Sequence, residues 1–228
     1  KNRPRDVFFT ILVFFFRPLS RIKQIIRPAV WVQMPMKEDR IKTLLQASKS
    51  AGPLTVGFLL VPNFSMLAFA SALEPLRAAN RMSGQNLFSW VISSPTGTAP
   101  EASNGVRVDV QDSLEMLQDC RLVFVCAGLE VKAHADKETL NLIRRLDRKG
   151  AIIGAICTGT YLMAAAGLLD DRRCTIHWEN IDGLAEEFPL LEITNELFEI
   201  DDKRVTCSGG TASLDMILYL IGQVHGQS

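Results

Sequence analysis

Beyond residue 53 the chain alternates short, continuous apolar runs with stretches whose apolar residues recur every three or four positions, as buried strands separated by helices do. The continuous runs are residues 54–61 (LTVGFLLV), 121–126 (RLVFVC) and 151–156 (AIIGAI). Strands of this kind are covered on both faces, so the pattern predicts an α/β domain, a mostly parallel sheet between two helical layers. Helical spacing predicts helices over 64–82, with a kink expected at Pro75, and over 136–149, where Leu140, Ile143 and Leu146 share a face and Gly150 is a stop. Further helices are predicted over 158–167, 179–188 and 211–224. Strands are expected at 88–93, at 106–110 as a half-exposed edge strand after the Asn104-Gly105 turn, and at 174–177. A hairpin should pair 197–200 with 204–207 around Asp201-Asp202-Lys203. There is no internal repeat.

Composition narrows the class. Of the 228 residues 47% are hydrophobic and 22% charged, which is globular rather than disordered or collagen-like. A chain of this size buries roughly 70% of its unfolded surface and needs no disulfide staples. The five cysteines, Cys120, Cys126, Cys157, Cys174 and Cys207, are odd in number and include no C-x-x-C pair, and there are only three histidines. Structural zinc and a secreted disulfide framework are both disfavoured. No metal or cofactor is expected, and a reducing, cytoplasmic setting fits best.

The net charge of zero divides unevenly. Residues 1–50 carry eleven Lys/Arg against three Asp/Glu, +8, and residues 51–228 carry 14 against 22, −8. The head holds an apolar run over 7–16, half of the about 20 residues a spanning helix needs, so no membrane span is expected. A signal peptide would want a small-residue cleavage site where Arg17-Pro18-Leu19-Ser20-Arg21 stands. A basic interfacial anchor and upstream sequence foreign to the domain are the other readings, and the last is favoured because no period joins this piece to the rest. Residues 1–52 are therefore set apart as a basic, non-native or disordered head with a leader helix from 37, and residues 53–228 as the folded domain.

The chemistry concentrates where the strand 151–156 runs straight into a helix with Cys157 at the junction. A thiol on such a turn stands above the sheet, facing the backbone N–H groups of Thr158 and the residues after it, which stabilise thiolate and could bind an oxyanion. Gly159 gives the helix room, and the loop Cys126-Ala127-Gly128-Leu129 is placed to offer a second N–H. A buried structural cysteine explains the same pattern equally well. His177 ends the expected strand 174–177 and is the candidate partner. Trp178 and Glu179 beside it supply an aromatic face and a carboxylate, the ingredients of a cation site, or simply the first turn of a helix.

The strings ICTGT (156–160), AGLLDDRRCTIHWEN (166–180), EEFP (186–189) and DDKRVTCSGGTASLDM (201–216), after the opening FLLVPNFSMLAFASALEPLRAANR (58–81), resemble the PfpI-like class I glutamine amidotransferase fold. Within it they are most similar to the N-terminal sensor domain of GlxA-type AraC-family transcriptional regulators. The resemblance spans roughly 54–226 and implies a flavodoxin-like three-layer sandwich and a homodimer. Enzymes of the superfamily carry an acid early in the first helix beside the elbow cysteine. Ala68 stands at that position, and Glu74 lies roughly 9 Å further along by helical rise. The resemblance therefore implies an effector-binding domain rather than an enzyme, with Cys157, Thr158, Gly128, His177, Trp178 and Glu179 as ligand contacts. The implied ligand is a small amine or quaternary ammonium compound of the betaine, carnitine or arginine type.

DNA contact would fall to a C-terminal helix-turn-helix domain absent from these 228 residues, because the −8 of residues 51–228 is the wrong sign for a phosphate-binding face. The run Arg144-Arg145…Arg148-Lys149 is expected to be a solvated helix face. Two other readings stay open. One is a cysteine-dependent hydrolase, hydratase or glyoxalase-like enzyme using Cys157 and His177; the other is a structural dimer module with a vestigial pocket.

Overall fold

The computed structural model describes Ile41, residues 52–111 and residues 114–225. The expectations for the basic head and its leader helix lie outside the described residues, except that Ile41 is helical and buried.

The three continuous apolar runs form the central strands. β1 (Leu54–Leu60), β3 (Leu122–Cys126) and β4 (Ile152–Ile156) lie side by side in parallel register. β2 (Phe88–Ser93) pairs with the far side of β1, and β8 (Arg204–Cys207) with β4. The hairpin partner β7 (Phe198–Asp201) is antiparallel to β8 and closes the order β2-β1-β3-β4-β8-β7. Asp202, in the turn between them, has φ +58.

Alternate side chains face two helical layers. On one side α1 (Met66–Ser83) packs along α6 (Ala212–His225). Phe58 meets this layer in an aromatic cluster, with Phe69 edge-on at 5.4 Å and Phe124 of the next strand stacked at 5.9 Å. Gly154, opposite Phe124 in register, leaves room for that ring; a Cβ there would come within 2.4 Å of it. The other side is filled by Val123, Val125, Ile153 and Ala155 against Leu142, Ile143 and Leu146 of α3 (Lys137–Arg148) and Leu162 and Met163 of α4 (Gly159–Ala165). The three-layer, flavodoxin-like arrangement is the one expected. α1 runs uninterrupted through Pro75.

Local departures have identifiable causes. No strand forms at 106–110: Val106 is exposed, and Arg107 makes only an isolated bridge to Glu101. Val108 and Val110 are only partly buried, the segment passes on, and Gln111 caps the edge of β2 by donating its N–H to Ile92 O and accepting from Ile92 N–H at its Oε1. The strand expected at 174–177 shrinks to β5 (Arg173–Cys174), paired with the equally short β6 (Glu192–Ile193). The helix at 179–188 becomes a 3₁₀ turn, Trp178–Asn180, followed by α5 (Ile181–Glu187). A short α2 (Leu114–Gln118) precedes β3 and had no clear signal in the apolar pattern. Arg144 is not part of a solvated face, since its guanidinium donates to Ala166 O (3.0 Å) and Ala165 O (3.2 Å), closing the end of α4; Arg145, Arg148 and Lys149 are exposed as expected.

Candidate functional site

The C-terminal ends of β1, β3, β4 and β8 converge on Cys157. This residue sits between β4 and α4 with φ +62, a left-handed conformation that a residue bearing a Cβ adopts at a cost. Its N–H donates to Cys207 O at 3.0 Å, continuing the β4–β8 pairing one residue past the strand. Three close approaches hold the elbow. A Cβ on Gly159 would lie 2.1 Å from Val125 O, so α4 rests directly on the backbone of β3. The Thr158 hydroxyl donates to Gly128 O at 2.6 Å. Gly209, from the loop after β8, lies against Cys157 so tightly that a Cβ would come within 2.7 Å of the cysteine Cβ.

The structure thus brings Cys157, Thr158 and Gly128 together as expected. In the Gly128 loop, Ala127 N–H donates to Ile156 O and Leu129 N–H to Asn63 O. Neither is therefore free to serve as the second oxyanion donor, which leaves the Gly128 N–H as that loop's candidate.

Burial reverses the expected ionisation of Cys157. The Thr158 N–H favours thiolate as anticipated, but desolvation outweighs it, and Cys207 and Glu179 add to the upward push; the thiol is raised to about 12. His177 is also held in its uncharged form: desolvation lowers its pKa, more than Glu179 raises it. The His177 Nδ1 to Glu179 Oε2 separation of 3.7 Å is too long for a hydrogen bond. Site cysteine and histidine are both neutral at pH 7, so no thiolate–imidazolium pair is present.

No acid in the first turn of α1 joins the site. That turn contains no carboxylate, Ala68 is fully buried, and its N–H is used by the Ser65 cap. Glu74 is exposed and bound to Arg77 at 2.6 Å. Next to His177 in sequence, Trp178 and the Glu179 side chain are 38% and 37% exposed, so both are accessible from solvent. The Trp178 ring lies 5.7 Å from that of His177. Of Phe64, Met66, Phe69 and Met163, whose helical spacing predicts core positions, Phe64, Phe69 and Met163 are buried and Met66 is only partly so. Among the described residues no group of His, Cys, Asp and Glu could hold a metal ion.

Two contributors escaped the sequence reading. Gly209 was visible only as half of a Gly-Gly pair after a strand, with nothing to say that it abuts a residue 52 positions earlier. The second is a clamp in which Glu187 accepts from Tyr161 OH and Lys132 Nζ, each at 2.5 Å, tying α5 to α4 and to the turn after Gly128.

With the thiol near 12, Cys157 is expected to react with iodoacetamide at pH 7.5 about 10³-fold more slowly than a free thiol of pKa about 8.5. Its rate should climb about tenfold per pH unit past pH 9. A rate that levels off near neutrality, followed by mass spectrometry of the alkylated peptide, would contradict the burial argument.

Comparison with known proteins agrees with the fold. The model of the DJ-1/PfpI family matches residues 59–223. The HTH-type transcriptional regulator CdhR of Pseudomonas aeruginosa is 48% identical over 169 residues, 74% of this chain and 50% of that protein. The HTH-type transcriptional regulator GlxA of Rhizobium meliloti is 43% identical over 181 residues, 79% of this chain and 56% of that protein. The chain therefore spans about half the length of these relatives. A crystal structure of an AraC family transcriptional regulator from Pseudomonas putida superimposes with a TM-score of 0.70 at 28% identity, covering 77% of this chain and 94% of that one. More distantly, the isonitrile hydratase of Pseudomonas putida is 26% identical over 174 residues, 76% of this chain and 73% of that enzyme. An elbow cysteine at positive φ on a parallel sheet and a family match from β1 into α6 make the same assignment: this chain belongs to the DJ-1/PfpI family.

Proposed function

We propose that this domain is the effector-sensing and dimerisation part of an AraC-family transcriptional regulator. In this reading a small amine or quaternary ammonium metabolite of the betaine, carnitine or arginine type binds over Cys157. The observation that carries it is a site with an enzyme's elbow but no acid in the first turn of α1, where Ala68 is fully buried, and a thiol held protonated. Such a site binds without turning over. Trp178 and Glu179 receive the cationic end of the ligand. In two HTH-type transcriptional regulators the matched region is only 50% and 56% of the protein, which supports a DNA-binding part elsewhere in the full protein. A regulator acting on DNA would work in the cytoplasm; no described helix is long and apolar enough to cross a membrane.

A thermal-shift screen with glycine betaine, carnitine and arginine tests this. A ligand at 100 times its Kd stabilises by about 2.7 kcal/mol, roughly 5–10 °C for a domain of this size. Glu179→Gln should abolish the shift while leaving the unliganded Tm within about 2 °C. No shift with any candidate at millimolar concentration would sink the sensor reading and favour a vestigial module.

The strained elbow and the isonitrile hydratase relative favour a second reading, a cysteine-dependent hydratase, hydrolase or glyoxalase-like enzyme using Cys157 and His177. Turnover of an isonitrile, an amide or a glyoxal that disappears in Cys157→Ala would establish it.

A further inference from the structure

His177 hangs on a segment that has almost no sheet to hold it. β5 ends at Cys174, and the next residue, Thr175, is 1% exposed. All three of its polar groups are met from outside any ladder. Its N–H donates to the Thr206 hydroxyl at 2.9 Å, its C=O accepts from the Thr160 hydroxyl at 2.8 Å, and its own hydroxyl donates to Glu196 O at 2.9 Å. Thr160 and Thr206 are themselves 0% and 1% exposed, so both hydroxyls are buried where an apolar side chain would pack without needing a partner.

The roots of these two hydroxyls matter more than their number. Thr206 precedes Cys207, whose carbonyl binds the Cys157 N–H. Thr160 lies three residues after Cys157 on the first turn of α4. The two side chains that suspend the His177 segment thus grow from the two elements that fix Cys157, and the path from sulfur to imidazole runs through buried, satisfied hydrogen bonds.

We propose that Thr206 and Thr160 are positioning residues that set the place of the His177 segment relative to the elements that hold Cys157. Their purpose rests on the effector-pocket reading; their geometry does not. Without the Thr206 acceptor, the buried Thr175 N–H has to find water, and the segment lifts at the point that carries the imidazole. Thr206→Ser keeps the acceptor, whereas Thr206→Val keeps the shape and loses it.

The test is an NMR titration of ligand-free protein with labelled histidine, the His177 resonance being assigned by His177→Gln. His177 should titrate below 6.5 in the wild type and move up by about half a pH unit or more in Thr206→Val as its burial is lost. Thr206→Ser should restore the wild-type midpoint, and the His134 and His225 midpoints should stay where they are in all three proteins. If Thr206→Val does not fold, Thr160→Val, which keeps the shape and removes only a donor to a carbonyl, is read in the same way. A folded variant whose His177 midpoint is unchanged would overturn the proposal, as would one in which all three histidines shift together. An absence of effector binding would count against the sensor reading alone, because this titration contains no ligand.

Discussion

Gly159→Ala is expected to lose about 3–5 kcal/mol of unfolding free energy, read as a fall in the urea midpoint with little change in slope. The added methyl would lie 2.1 Å from Val125 O and 3.0 Å from Val125 C. Both are backbone atoms in the middle of the sheet, and no rotamer change can move them. Relief requires α4 to lift off β3, which also loosens the Thr158 bond to Gly128 O and the Thr160 bond to Thr175 O. Gly183, inside α5, is the matched control: its Cβ position meets nothing within 4 Å. Gly183→Ala should be neutral or stabilise by up to about 1 kcal/mol, since alanine restricts the unfolded chain and favours helix. If the two substitutions behave alike, the close approach at the elbow does not have the energetic weight assigned to it.

The second large effect lies at the seam between β5 and β7. Arg173 Nη2 donates to Glu199 Oε1 at 2.9 Å, and the Glu199 side chain is 2% exposed. Removing one partner of a fully buried pair costs about 3–5 kcal/mol because the other charge is left uncompensated; the Arg173 side chain is 35% exposed, which screens the pair, so Arg173→Leu should cost about 2 kcal/mol at pH 8. The cost should depend on pH. Burial raises the Glu199 pKa above its ordinary value, while its bond from Thr194 and the charge of Arg173 pull it down by less. Without Arg173 the folded-state pKa climbs further. A carboxyl whose folded pKa exceeds its unfolded value contributes stability below the unfolded pKa and loses it as pH rises through the folded one. The gap between Arg173→Leu and wild type should therefore be small near pH 4.5 and widen toward pH 8. Adding Glu199→Gln should flatten it. Urea melts of the three proteins at both pH values decide the matter, and an equal gap at both would contradict the buried-charge account.

The strands were legible wherever burial on both faces left a continuous apolar run, as in LVFVC and IIGAI, because that pattern needs no knowledge of the partner. Residues 106–110 misled for the converse reason: alternation of Val with charged residues implies a buried face only if something covers it, and Val106 is exposed. The strand predicted to reach His177 stopped at Cys174 because its remaining bonds come from side chains 15 and 31 residues away in sequence. Periodicity carries no trace of such pairs.

What the sequence determined on its own is an inventory: a strand–cysteine–helix elbow, a glycine two residues after the cysteine and a histidine twenty residues on. These are local, and backbone propensity with hydrophobic spacing is enough to place them. The state of those groups was decided only by the tertiary structure. A thiol at a helix start reads as activated, yet Gly209 and Cys207 close over Cys157 and keep it protonated. Ionisation responds to the water and charge surrounding a group in space, and those neighbours come from strands and loops that the chain reaches only after folding.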